Sequence, residues 1–220
     1  MSEVAKIEKN ESLFSKKNRA LLVDPLNDNN PITVQILGIC SALAVTSTVM
    51  NSLVMGIGVT VVTAMSNLVI SAMRDYIPNR IRMIVQLVIV AWLVQLVAMF
   101  LQAYLYTTYT ELATFIGLII TNCIVMGRLE AYAMANKPWP SFLDGIGNGL
   151  GYTMILLTIG TIREIFGSGK LLGFEVIPQA VYDFGYTNNG LMVLPISSII
   201  LIGIIIWIQR GLNKKLVDVS

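Results

Sequence analysis

The chain has 220 residues, 55% hydrophobic and 13% charged, with a net charge of +2 and a mean hydropathy of +0.72. Soluble domains carry about 25% charged residues, so lipid is the expected solvent, and the few scattered basic residues exclude a nucleic-acid interface. The absence of histidine excludes histidine-ligated haem, histidine zinc sites and histidine general bases within the chain, and two cysteines cannot build a disulfide scaffold.

Residues 1–30 are polar and mixed in charge (Lys6, Glu8, Lys9, Glu11, Lys16, Lys17, Arg19, Asp24, Asp28), with no apolar run of signal-peptide length. They are expected to form a solvated N-terminal extension, followed by a membrane domain over 31–212 and a tail over 213–220. Between Asp28 and Arg74 no residue is charged. That gap is too long for one span of about 20 residues, and Asn51 and Ser52 suggest a turn within it, giving helices over 32–50 and 53–73. Further uncharged stretches predict a third helix over 83–110, a fourth over 112–127, a fifth over 145–162 and a sixth over 191–209. With the N-terminus cytoplasmic, this path leaves thirteen of the fifteen Lys and Arg on the cytoplasmic side, Arg163 and Lys170 being the exceptions. The positive-inside rule therefore favours six spans with both termini cytoplasmic.

Cys40 lies in the first helix and Cys123 in the fourth, and one helix later each half carries an Arg–acid pair, Arg74-Asp75 and Arg163-Glu164. Three helices per half insert with opposite orientation, so the echo predicts an all-α inverted 3+3 repeat, an architecture that brings equivalent positions together near mid-membrane. The first helix is rich in Thr, Ser, Gln and Gly, and the fourth is short for the bilayer. Both Cys-bearing helices are thus expected to be central and broken, since irregular backbone is tolerated only inside a bundle.

Three readings of the cysteines stand side by side. They can be small buried packing residues, a disulfide, or soft thiolate ligands for a metal. An iron–sulfur cluster takes four cysteines as a rule, so ligation would require a partner contributing two more. Under that reading the apolar neighbours Ile39, Leu43, Ile124 and Val125 would keep water from the thiols. Asp144 opens the densest motif, Asp144-Gly145-Ile146-Gly147-Asn148-Gly149-Leu150-Gly151-Tyr152. No P-loop Lys-Ser/Thr follows it, and its glycines read first as close helix packing. Asp144 itself is either the N-cap of the fifth helix or, with the intramembrane amides Asn67 and Asn122, a candidate ion-pathway residue.

The runs Asn29-Asn30-Pro31, Leu37-Gly38-Ile39-Cys40-Ser41-Ala42-Leu43-Ala44-Val45-Thr46, Gly117 to Arg128 around Cys123, the Asp144 motif, and Arg163-Glu164-Ile165-Phe166-Gly167-Ser168-Gly169-Lys170-Leu171 resemble one family over about residues 25–210. It is the family of membrane subunits shared by the sodium-translocating NADH:quinone reductase (Nqr) and the Rnf ferredoxin:NAD oxidoreductase. The resemblance implies six helices in an inverted repeat, in the bacterial inner membrane. It implies a homologous partner, the E subunit of Nqr, with a [2Fe-2S] centre shared between the two, its ligands here being Cys40 and Cys123. It also implies the A, B, C and F subunits of Nqr as further partners, with NAD and flavins bound by those other subunits. The complex would pass electrons from NADH to ubiquinone and export Na+. Ser41 after Cys40 favours the Nqr branch over the E subunit of Rnf. A rival of another class is an inverted-repeat solute transporter using Asn67, Asn122 and Asp144, its cysteines being structural.

Overall fold

The computed structural model describes residues 21–26, 29–78, 80–104, 116–171, 174–175 and 190–212. Among these the regular structure is helical apart from one two-residue antiparallel ladder, β1 (Lys170–Leu171) with β2 (Phe174–Glu175). The helices are α1 (Ile39–Val45), α2 (Val49–Met73), α3 (Arg82–Tyr104), α4 (Cys123–Arg128, continued as a π-turn over Leu129–Ala133), α5 (Pro138–Ser168), α6 (Gly190–Val193) and α7 (Pro195–Leu212). Among the described residues four segments are long and apolar enough to cross a membrane: Val49–Tyr76, Arg82–Tyr104, Ile116–Ala133 and Pro138–Ser168. The chain is an integral membrane protein.

Two of these spans form the centre. Over their apolar windows α2 and α5 are each 56% buried, against 28% for α3. They pack antiparallel along a seam of small residues. Asn67 Nδ2 donates to the Ser141 carbonyl at 3.0 Å, Gly145 lies against Ala64, Gly149 against Thr60, Gly56 against Thr153 and Gly160 against Ser52. A Cβ at Gly145 would meet the Ala64 Cα at 2.7 Å, and one at Gly149 the Thr60 Cα at 2.6 Å. Without a hydrophobic force between helices in lipid, such close backbone approach is what holds them together. The outward residues of α3, such as Val88, Trp92 and Phe100, are exposed apolar side chains suited to lipid.

The alternate glycines of the Asp144 motif serve two different faces. Gly145 and Gly149 meet α2, whereas Gly147 faces the Leu21 carbonyl and Gly151 the Pro25 carbonyl. Asn30 locks the second contact, donating from Nδ2 to the Gly151 carbonyl at 3.2 Å while its Oδ1 accepts from the Ile32 and Thr33 amides. Residues 21–26 and 29–31 are therefore laid on α5, with Pro25, Asn30 and the following Ile32 buried.

Several expected boundaries move, each for a physical reason. The first span is no continuous helix over 32–50. Ile36 and Gly38 have positive φ, and only Ile39–Val45 is regular. The turn expected at Asn51 and Ser52 lies at 46–48 instead. Both residues are inside α2, where the Thr48 side chain caps the helix by accepting from the Asn51 amide and Ser52 Oγ donates to the Thr48 carbonyl at 2.9 Å. The third helix starts as expected but is described only to Tyr104, and 105–115 lie outside the described residues. The fourth segment is helical over 116–120, breaks at Thr121 and Asn122, and resumes at Cys123. The fifth runs well beyond 145–162, because Asp144, Arg163 and Glu164 are buried within it rather than marking its ends. The sixth is broken at Leu194, where Pro195 starts a new helix whose first amide would be unpaired in any case.

Candidate functional site

Gly38 precedes α1 with φ +77°, a conformation open to glycine, and a Cβ there would meet Ile124 Cδ1 at 2.7 Å and Tyr152 at 3.2 Å. This one position therefore brings α1, α4 and α5 together. Cys40 is in the first turn of α1. Cys123 is the first residue of α4, whose cap is Asn122, the side-chain oxygen accepting from the Ile124 amide at 3.1 Å. Both thiols are exposed, and both line one cavity of about 200 Å³ together with Gly38, Ser41, Leu118, Thr121 and Asn122. Behind the cavity, Ala42, Ile124 and Val125 are fully buried. Ile39 and Leu43, expected to shield the thiols, are only half-buried.

The donor set tests which group this cavity could hold. It offers two soft thiolates. The polar atoms between them are already committed: Asn122 Nδ2 donates to Ser41 Oγ at 3.1 Å, and Ser41 Oγ lies 2.6 Å from the Tyr152 hydroxyl. Among the described residues no three of His, Cys, Asp and Glu are grouped to hold a metal. The residues thus fit half of a four-thiolate iron–sulfur site, with the thiols facing outward where a second chain could add the other half.

The other candidates lie in different surroundings. Asp144 is no N-cap. Lys137 takes that position, Pro138 follows it, and Asp144 is two turns into α5. There it is buried and held by Arg128, whose Nε donates to Oδ2 at 2.9 Å and whose second nitrogen donates to Oδ1. Asn148 Nδ2 donates to Asp144 Oδ1 at 3.1 Å, and Arg128 also lies 5.6 Å from the Tyr132 ring centre. Asn67 and Asn148 each keep a buried side-chain oxygen without a partner. Asn67, Asn122 and Asp144 bond to different partners and share none.

The two Arg–acid pairs of the sequence echo differ in environment. Arg74 and Asp75 form an exposed 3.6 Å pair in a 3-10 turn. Arg163 and Glu164 are buried and tie together the helix breaks. Glu164 Oε2 accepts from the Val49 amide at 2.6 Å, capping α2. Arg163 donates to Thr46 Oγ1 at 2.7 Å and to the carbonyls of Met192, Val193 and Leu194. Sequence reasoning missed this role, although adjacent opposite charges within an apolar run are its signal. It also missed Arg128 as the partner of Asp144, because the intervening 129–137 turn hides their proximity.

The family described as Rnf-Nqr subunit, membrane protein, matches residues 18–206. The chain is 53% identical over 204 residues to the D subunit of the Na(+)-translocating NADH-quinone reductase of Pseudoalteromonas translucida, covering 93% of this chain and 97% of that one. It is 52% identical over 204 residues to the D subunit of the Psychromonas ingrahamii enzyme, with the same coverage. It is also 57% identical over 200 residues to that of Pseudomonas aeruginosa (strain UCBPP-PA14), covering 91% of this chain and 89% of that one. These relatives are named as subunits of an oxidoreductase complex. By the extent of the match and these identities, the chain belongs to the Rnf-Nqr family of membrane-protein subunits.

Proposed function

We propose that this chain is the D subunit of a sodium-translocating NADH:quinone reductase in the bacterial inner membrane. In this reading it carries electrons across the bilayer through a [2Fe-2S] centre held jointly with the homologous E subunit, coupled to Na+ export. The observation that carries the reading is the single cavity lined by Cys40 and Cys123, with both thiols open to the outside of the chain. Identities above 50% to the D subunits of Nqr complexes, along nearly their whole length, support Nqr over the Rnf branch. When bound, a two-iron cluster supplies a one-electron relay that divides one long transfer into two short ones. The chain's own residues hold two of its thiolates. Buried Ala42, Ile124 and Val125 keep water from the inner wall of the site, and solvent exposure and hydrogen bonding are what tune such a centre.

The proposed architecture is six spans in an inverted 3+3 repeat with both termini cytoplasmic. Its support is the matched layout of the halves: a short Cys-bearing helix, α1 or α4, leads into a long one, α2 or α5, and the two long helices run antiparallel. For the sodium step we place this chain's contribution at Asp144, whose carboxylate would exchange Arg128 for the cation, and we keep Asn67, whose buried side-chain oxygen has no partner, as a separate donor along the path. Asn122 has both ends of its amide engaged at the cysteine cavity, so its contribution is to that site.

The test is iron and acid-labile sulfide content with a low-temperature EPR spectrum of the purified membrane complex, with and without Cys40→Ala. The expected result is loss of two irons and one signal in the variant. Unchanged iron and spectrum would return Cys40 to a packing role and favour the transporter reading.

A further inference from the structure

Immediately behind the two thiols, three buried polar side chains from three helices meet at one oxygen. Ser41 Oγ lies 2.9 Å from the Gly38 carbonyl, 2.6 Å from the Tyr152 hydroxyl and 3.1 Å from Asn122 Nδ2. A hydroxyl has one proton and two lone pairs. The carbonyl can only accept and the amide nitrogen only donate. Ser41 therefore donates to Gly38, and the Tyr152 hydroxyl must donate to Ser41. Every valence of that oxygen is used, and Ser41, Asn122 and Tyr152 are 4%, 4% and 0% exposed. Ser41 follows Cys40 in α1, and Asn122 precedes Cys123 at the start of α4.

These helices have 7 and 6 residues. Helices so short do not fix their own direction, which must come from tertiary contacts. Packing of Ile124 and Tyr152 on Gly38 is apolar and non-directional, whereas the Ser41 node is directional and joins α1 to α4 through atoms adjacent to each cysteine. We propose that Ser41, oriented by Tyr152 and Asn122, is a positioning residue that sets the separation of the Cys40 and Cys123 thiols, with the long helix α5 as its fixed support. Its importance for electron transfer rests on the cluster reading above, but the spacing itself does not.

The experiment uses the assembled membrane complex, stripped of iron with chelator and dithiothreitol. Dibromobimane fluoresces on alkylating two neighbouring thiols, and the Cys40–Cys123 bridged peptide is quantified by mass spectrometry. Ser41→Ala leaves the Tyr152 hydroxyl and Asn122 Nδ2 buried without the oxygen they donate to, so the thermal midpoint of the complex falls. Ser41→Ala with Tyr152→Phe removes one of the two stranded groups, so the midpoint recovers in part. Bridging is expected to fall about fivefold in both variants, as for loss of one hydrogen bond. If bridging recovers together with the thermal midpoint in the double variant, Ser41 serves stability alone and the proposal is overturned. Absence of bridging in the unaltered complex also overturns it. Iron content of the untreated complexes separates the two readings. Slowed bridging in a complex that never held iron keeps the positioning role and removes the cluster. Iron present with bridging unchanged keeps the cluster and removes the positioning role.

Discussion

At the scale of single residues, the two-point ion pair of Asp144 with Arg128 is buried, the two side chains being only 2% and 12% exposed. A buried pair is a poor stabiliser against apolar replacement, but removing one member strands a charge, at about 3–5 kcal/mol. Asp144→Ala is therefore expected to lower the yield and thermal midpoint of the assembled complex sharply. Arg128→Met combined with Asp144→Leu is expected to regain most of the loss. The double variant also decides the sodium role, because it separates folding from ion handling. Sodium uptake by proteoliposomes should be lost in the double variant although it assembles. Normal uptake would take Asp144 out of the pathway. The edge of an apolar run suggests a cap for this acid, and nothing local in the sequence reveals its pairing instead. The cysteines show the same limit. Cys40 and Cys123 are conspicuous because they are the only two in the chain and lie in corresponding helices. What surrounds them is hidden, since the Ser41–Tyr152 contact spans 111 positions and has no periodicity to expose it.

At the scale of elements, the glycine motif shows how tightly sequence and packing are linked. Its spacing places Gly145 and Gly149 on one face of α5 and Gly147 and Gly151 on another, so one helix accepts a neighbouring helix and the incoming N-terminal segment at backbone distance. Gly149→Ala would push a methyl into the Thr60 backbone, which cannot move without opening the α2–α5 seam. Overpacking of this kind costs about 1–3 kcal/mol, and the expected readout is a lower thermal midpoint of the complex in detergent. Gly203→Ala in α7 has nothing within 4 Å of the added carbon and should leave the midpoint unchanged. The packing role of these glycines was legible because small residues at regular spacing have one common use in lipid. Helix ends were less legible. Charges mark boundaries when they are solvated, as at Arg74 and Arg82, and mislead when they are buried with partners, as at Asp144, Arg163 and Glu164. Glu164 in particular extends α5 beyond the expected end and also caps the start of α2, so one buried acid shifts two boundaries.

At the scale of the whole molecule, the number of crossings decides how the two halves relate. Among the described residues four segments are long enough to span, Ile116–Ala133 being broken only at Thr121 and Asn122, and α2 at 25 residues and α5 at 31 are about 37 and 46 Å of helix. The remaining two candidates are interrupted. The segment leading through α1 is regular for only 7 residues, and α6 and α7 are separated at Leu194. Whether each crosses decides the side on which the C-terminal basic cluster (Arg210, Lys214, Lys215) ends. If both cross, the total is six, the cluster returns to the side of the N-terminal tail, and thirteen of fifteen basic residues share that side. If only one crosses, the total is odd and the positive-inside balance is lost. Alkaline phosphatase and green fluorescent protein fused in turn to each terminus distinguish these cases, since the first is active only outside the cytoplasm and the second fluoresces only inside it. The expected outcome is fluorescence without phosphatase activity at both ends. Phosphatase activity at the C-terminus alone would leave three helices in one half and two in the other. The antiparallel α2–α5 seam would stand in that case, but the equivalence of Cys40 and Cys123 would not, and their shared cavity would need a cause other than repeat symmetry.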